Sequence, residues 1–145
     1  MKQLSLLLLR ITFAVVVLPH GCQMVFGWFG GYGFSGTMQY FTQTEGLPRL
    51  VGFAVILLQF AGSLAILAGA ATRFISLGMI GLFIGMIVTS HWNHGFFMNW
   101  YGTQAGEGFE YHILVIGISV ALLLEGAGQW SVDAILPKKQ QHAFQ

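Results

Sequence analysis

The chain has 145 residues, of which 55% are hydrophobic and only 8% charged, with 20 Gly, thirteen Phe, four Trp and a net charge of +1. Soluble domains carry about a quarter charged residues, so this chain cannot cover itself with polar surface and its solvent is largely lipid. The length fits one domain, 1–145, and a near-zero net charge without a basic stripe excludes a nucleic-acid partner.

A membrane helix needs roughly 20 mostly apolar residues, and four segments qualify. The first, about Leu4–Phe26, follows Lys2 and contains Arg10. No small-x-small cleavage site precedes the aromatics at its end, so it reads as a retained helix and not a signal peptide. Pro19 within it cannot donate to the Val15 carbonyl and should kink the helix just below His20. In the loop that follows, Phe34, Met38 and Phe41 fall at helical spacing, with Gln39, Gln43 and Glu45 left to face water. A short interfacial helix is expected there, near Ser35–Thr44.

The second segment is about Pro48–Ala71, with Pro48 suited to a first turn. The third is about Phe74–Trp92, with Thr72 as its N-cap. The fourth, about Glu110–Gly126, is the shortest. Gly62, Ala65 and Gly69 on the second helix, and Gly78, Gly81 and Gly85 on the third, mark expected helix contacts. Packing within the bundle is the favoured role of the "GLFIG" pair, and a homo-oligomer contact is the other role open to it. In the tail, Ser131, Asp133, Ile135 and Leu136 could start another short surface helix.

Lys2, Arg73, Lys138 and Lys139 fall on one side of such a bundle and Arg49 on the other. The positive-inside rule then puts both termini in the cytoplasm and loops 27–47 and 93–109 outside. Trp28, Phe29, Trp92, Phe96, Phe97 and Trp100 would form an outer aromatic belt, and Trp130 an inner one. The fold expected is all-α: an integral membrane four-helix bundle with a short interfacial helix in the first outer loop.

Ionisable groups inside a bilayer are costly, and they normally face the bundle interior and find partners. Arg10 and Glu125 lie near the inner ends of the first and fourth helices, and a salt bridge between them would close the bundle. Arg10 could also snorkel to the inner headgroups. The outer set is richer. His20 and Gln23, three apart, share a face. Gln59 sits deeper on the second helix, His91 ends the third, and Glu110, Tyr111 and His112 open the fourth. Topology brings His20, Gln23, His91, Glu110 and His112 to one depth, with Gln59 below.

Three readings fit this cluster. It could be a hydrogen-bonded network that locks the bundle. It could be a pocket for a small redox-active molecule such as a quinone headgroup, since His and Glu can bond a quinone carbonyl and pass protons. It could ligate a metal or haem, although no HxxxH or HxxE pair lies within one helix and ligand pairs at two depths are missing. Cys22 alone excludes an intramolecular disulfide or dithiol centre and reads as a small buried side chain. The glycines of "GWFGGYGFSG" precede no strand, which rejects nucleotide binding.

The sequence resembles the DoxX family, with its DoxD relatives, over almost its whole length. The stretches that carry the resemblance are "LLLR" at 7–10, "HGCQMVFGWFGG" at 20–31, "GLP" at 46–48, "ATR" at 71–73, His91 with "GFF" at 95–97, "GFEY" at 108–111 and "GQWSVDAIL" at 128–136. The resemblance implies a four-helix protein of the bacterial inner membrane associated with membrane redox systems. DoxD-type relatives belong to thiosulfate:quinone oxidoreductase, and the wider superfamily includes assembly chaperones and cargo receptors. His20, Gly21, Gln23, Glu110 and Tyr111 match recurring positions of the family pattern. Met24 stands where many relatives have lysine, which puts any anion-binding role of that position in question.

Two functions follow as expectations. In one, the chain is a quinone-binding subunit of a membrane oxidoreductase. Its pocket is formed by His20, Gln23, Gln59, His91 and Tyr111, Glu110 or His112 relays protons, and the electron donor or acceptor belongs to a partner protein. In the other, it is a non-catalytic scaffold or assembly factor whose polar residues are structural.

Overall fold

The computed structural model describes residues 1–135. Every regular element among the described residues is helical. Helix α1, Lys2–Phe26, runs unbroken through Pro19 and stops at Gly27, which takes the left-handed conformation. After a turn at Trp28–Gly30 comes α2, Gly33–Gln39, which passes directly into a wider π-turn at Tyr40–Thr44. Helix α3, Arg49–Ala68, contains a π-turn at Leu58–Gly62, and α4, Thr72–His94, contains one at Ile87–His91. Helix α5 is Glu110–Glu125 and α6 is Val132–Ile135.

Helices α1, α3 and α4 are long and apolar enough to cross a membrane. Helix α5 has 16 residues, about 24 Å at 1.5 Å per residue. It packs along α4 and touches α1. The core between the four rods is built from Phe13, Val17, Ile66, Met79, Phe83, Val115 and Leu122. The first loop holds a short helix where the amphipathic spacing required one. Its apolar face lies on α3, with Met38 and Phe41 over Gly52 and Phe34 edge-on to Phe53.

Helix boundaries moved for identifiable reasons. Helix α3 ends three residues earlier than Ala71 because Gly69 adopts φ 71°. The chain then closes with Gly69 N bonded to Ile66 O and Ala70 N bonded to Ala65 O, a Schellman arrangement. Thr72 does not cap α4. Ala71 holds that position at φ 47°, and the Asp133 carboxylate accepts from Ala71 N at 2.7 Å and Thr72 N at 2.9 Å. The tail helix forms as expected over Val132–Ile135, while Leu136, Lys138 and Lys139 lie outside the described residues.

The expected Arg10–Glu125 bridge is not formed. Glu125 pairs with Lys2 at 2.5 Å, which also puts the start of α1 and the end of α5 at one end of the bundle, here the terminal end. Arg10 is 2% exposed and donates to four backbone carbonyls instead. Nε bonds Ile66 O at 2.9 Å, Nη2 bonds Leu67 O at 2.5 Å, and Nη1 bonds Ala127 O at 3.0 Å and Trp130 O at 2.7 Å. Two of these carbonyls belong to the last turn of α3, where the helix dipole favours a cation. The planar guanidinium offers five N–H donors in a fixed fork and so can meet all four carbonyls, whereas an ammonium has three donors on one nitrogen.

The glycines divide into two kinds. Gly21 on α1 lies against the α3 π-turn, where an added Cβ would come within 2.6 Å of Phe60 Cα. Gly81 and Gly85, read from the sequence as a helix contact, have nothing within 4 Å of such a Cβ. They face open space.

Two outcomes follow for thermal unfolding in mild detergent. Arg10→Leu leaves four carbonyls without their donor and should cost about 3 kcal/mol or more, and Arg10→Lys should recover only part of it. Gly21→Ala should cost about 1–3 kcal/mol through overpacking, whereas Gly85→Ala should leave the midpoint unchanged or raise it.

Candidate functional site

The opposite end of the bundle carries the two long loops, and the polar cluster expected there separates into parts. The first part is a ring stack between α4, α5 and α1. His91 and His112 lie 4.1 Å apart between ring centroids, and Phe83 and Tyr111 pack against His112 at 5.6 and 5.4 Å. His20 reaches Tyr111 at 6.1 Å. His112 is buried, and among the described residues neither of its ring nitrogens has a hydrogen-bond partner, nor does the Tyr111 hydroxyl. His91 Nδ1 meets Glu107 O at 2.8 Å. A carbonyl cannot donate, so Nδ1 carries the proton and, in the neutral ring, Nε2 is the acceptor.

The second part is a loop brace. Glu110 Oε1 accepts from Met98 N and from Trp100 Nε1, both at 3.1 Å. Glu107 Oε2 accepts from Asn99 N at 2.7 Å, and the Asn99 amide bonds Gln104 N and O. Glu110 thus holds loop 95–109 onto the start of α5. Gln23 plays the same part for the first loop, donating to Phe29 O at 3.3 Å.

The third part is a cavity of about 310 Å³ between α3, α4 and the first loop. Of the residues expected in the site, Gln59 and His91 line it. The buried Gln59 amide enters from the α3 π-turn, and its Nε2 has Met86 Sδ at 4.0 Å. Thr89, Ser90 and His91 come from the α4 π-turn, and Tyr40 and Phe41 from the π-turn after α2. Gly81 and Gly85 form the α4 wall, which explains their empty surroundings. The rest of the lining is mostly aliphatic, including Leu47, Val51, Val55 and Leu82.

Glu45 closes the loop side of this cavity. Its Oε1 accepts the Tyr40 hydroxyl proton and its Oε2 accepts from Ser90 Oγ at 3.3 Å. The bond to Glu45 raises the Tyr40 pKa above its ordinary value, since ionising the phenol would abolish the bond and set two anions together. Sequence reasoning turned Glu45 toward water and missed Tyr40, Thr89 and Ser90. The helical spacing of residues 34–45 assumed 3.6 residues per turn, and the π-turn at Tyr40–Thr44 breaks that phase. Gln39 and Gln43 do face outward, bonded to each other at 3.1 Å. Among the described residues no three His, Cys, Asp or Glu side chains are arranged to hold a metal ion.

Comparison with known proteins adds identity to this geometry. The family model described as DoxX matches residues 5–92, which spans α1 to the π-turn of α4 and so includes three of the cavity walls. A protein of Escherichia coli (strain K12), Inner membrane protein YqjF, is 33% identical over 113 residues, covering 78% of this chain and 82% of that protein. No solved structure matches. With the family pattern spread over most of the helical body and three helices able to cross a membrane, the chain belongs to the DoxX family and is a multi-pass protein of the bacterial inner membrane.

Proposed function

We propose that this DoxX-family protein binds a small redox-active molecule of the quinone class in the cavity between α3 and α4, as the membrane subunit of a redox system. The observation that carries the reading is the convergence of three π-turns on that one cavity. Such turns are rare, well under 1% of residues, and are frequent at functional sites. Each inserts a residue that the α-helical ladder would not accept, so each costs regularity, and here all three deliver polar side chains to one apolar-walled space. Ligand pockets have this character: apolar walls with a few convergent polar groups.

Within this reading Gln59 and His91 contact the headgroup. His112, Tyr111 and His20 stand behind His91 as positioning residues. Proton exchange with the loop side falls to His91 with His112 behind it. Glu110 and Gln23 keep the loops in place. The electron donor or acceptor belongs to a partner protein. The scaffold reading draws on a different observation: Glu110 and Glu107 are committed to shaping loop 95–109, which presents Phe97, Trp100 and Tyr101 outward. We also take α5 as a fourth span with the terminal end cytoplasmic, supported by Lys2 and Arg73 at that end.

Equilibrium binding of decylubiquinone to the purified protein in detergent tests the pocket. Gly85→Leu fills open space, so it should weaken binding by at least about tenfold, or 1.4 kcal/mol, with no loss of thermal stability. Wild-type affinity in that variant, or no binding of either decylubiquinone or decylubiquinol to the parent protein, would favour the scaffold. For topology, a green fluorescent protein fused at the C-terminus should fluoresce and an alkaline phosphatase fusion should be inactive. The reverse pattern overturns the assigned orientation.

A further inference from the structure

The hydrogen-bond inventory of the cavity says which form of a ligand it suits. The Tyr40 hydroxyl proton goes to Glu45 Oε1 and the Ser90 hydroxyl proton to Glu45 Oε2. The Thr89 hydroxyl donates to Gly85 O at 2.9 Å. The His91 Nδ1 proton goes to Glu107 O. Four donors at the polar end of the cavity are therefore used inside the protein. What they leave behind is acceptor capacity: further lone pairs on the Glu45 carboxylate, lone pairs on three hydroxyl oxygens, and His91 Nε2. The Gln59 amide adds a donor together with an acceptor, whichever way it is turned.

A ligand whose headgroup carries only carbonyl oxygens can be met by the Gln59 amide alone and places its remaining acceptors against acceptors. Removed from water, such groups go unpaired, and each unpaired buried polar group is penalised. A headgroup with hydroxyl donors meets partners at Glu45 and His91. We propose that the cavity selects a dihydroxyaromatic headgroup, the reduced quinol, over the oxidised quinone. This rests on the quinone-class reading above and adds the redox form to it. The Glu45 carboxylate is the residue that sets the preference. It lines the cavity at its loop side together with Tyr40, Ser90 and His91, where a polar headgroup finds its partners.

The test compares three probes under anaerobic conditions: decylubiquinol, decylubiquinone and the dimethyl ether of decylubiquinol, which keeps the ring and tail but has no donor. The quinol should bind at least about tenfold more tightly than either of the others. Glu45→Gln, whose amide can donate, should narrow or reverse that ratio. Tyr40→Phe removes a donor that the ligand does not use, so it should leave quinol binding in place. Equal or tighter binding of the quinone in the wild-type protein overturns the redox-form preference while leaving the pocket assignment standing. Loss of quinol binding in Tyr40→Phe also overturns it, because binding would then depend on the Tyr40 hydroxyl and not on Glu45 and His91. If none of the three probes binds, both readings fall.

Discussion

One guanidinium holds the terminal end together. Arg10 gathers carbonyls from the end of α3 and from the segment after α5, two regions far apart in sequence. A charge buried at 2% exposure is tolerable only when its donors are met, and here the chain supplies four acceptors in fixed positions. Asp133 completes the arrangement from the other side by accepting the first two N–H groups of α4. A cation therefore sits on a helix C-terminus and an anion on the next helix N-terminus, each where the dipole favours it. The two meet around the tight turn at Gly69, whose missing side chain leaves room for Arg10 and Ser131.

Fixing that end fixes the height of α1 against α3. Gly21 then comes level with the α3 π-turn, and contact between the two backbones becomes possible. The π-turn puts the Gln59 side chain inward, and Ser63, one turn on, bonds the Gln59 carbonyl at 2.6 Å. On α4 the π-turn at Ile87–His91 brings Ser90 and His91 to the cavity while Gly81 and Gly85 leave its wall open. The cavity is thus set by helix register on α3 and α4 and closed by the first loop through Glu45 and Leu47.

Much of this was legible in the sequence. The apolar lengths gave an all-helical fold with helices able to cross a membrane, the spacing of Phe34, Met38 and Phe41 gave the helix in the first loop, and Gln59 and His91 were among the residues that line the cavity. Two things were not legible. Arg10 and Glu125 looked like partners because opposite charges at one depth are the simplest solution; backbone carbonyls at helix ends are invisible in a sequence and were the better acceptors. The π-turns were hidden for a similar reason, since no residue pattern announces an extra residue in a helical turn. They shifted Glu45 from the water side to the cavity and separated Gln59 and His91 from Gln23 and Glu110.

The two ends differ in how well their polar groups are satisfied, and this bears on how the molecule moves. At the terminal end Arg10, Asp133 and Ser131 all have partners. Of the unpartnered hydroxyls there, Ser76 has the Thr72 carbonyl one turn back on its own helix, while Thr72 opens that helix. At the loop end the buried His112 ring has no such recourse. Its neighbours are Phe83, Tyr111 and His91, and in this packing neither the Tyr111 hydroxyl nor the His91 ring is bonded to it. An imidazole with both nitrogens unpaired weakens the packing around it by the desolvation cost of each. The loop end, where the cavity lies, is therefore the less well satisfied of the two. Local opening draws on the least stabilised region of a fold.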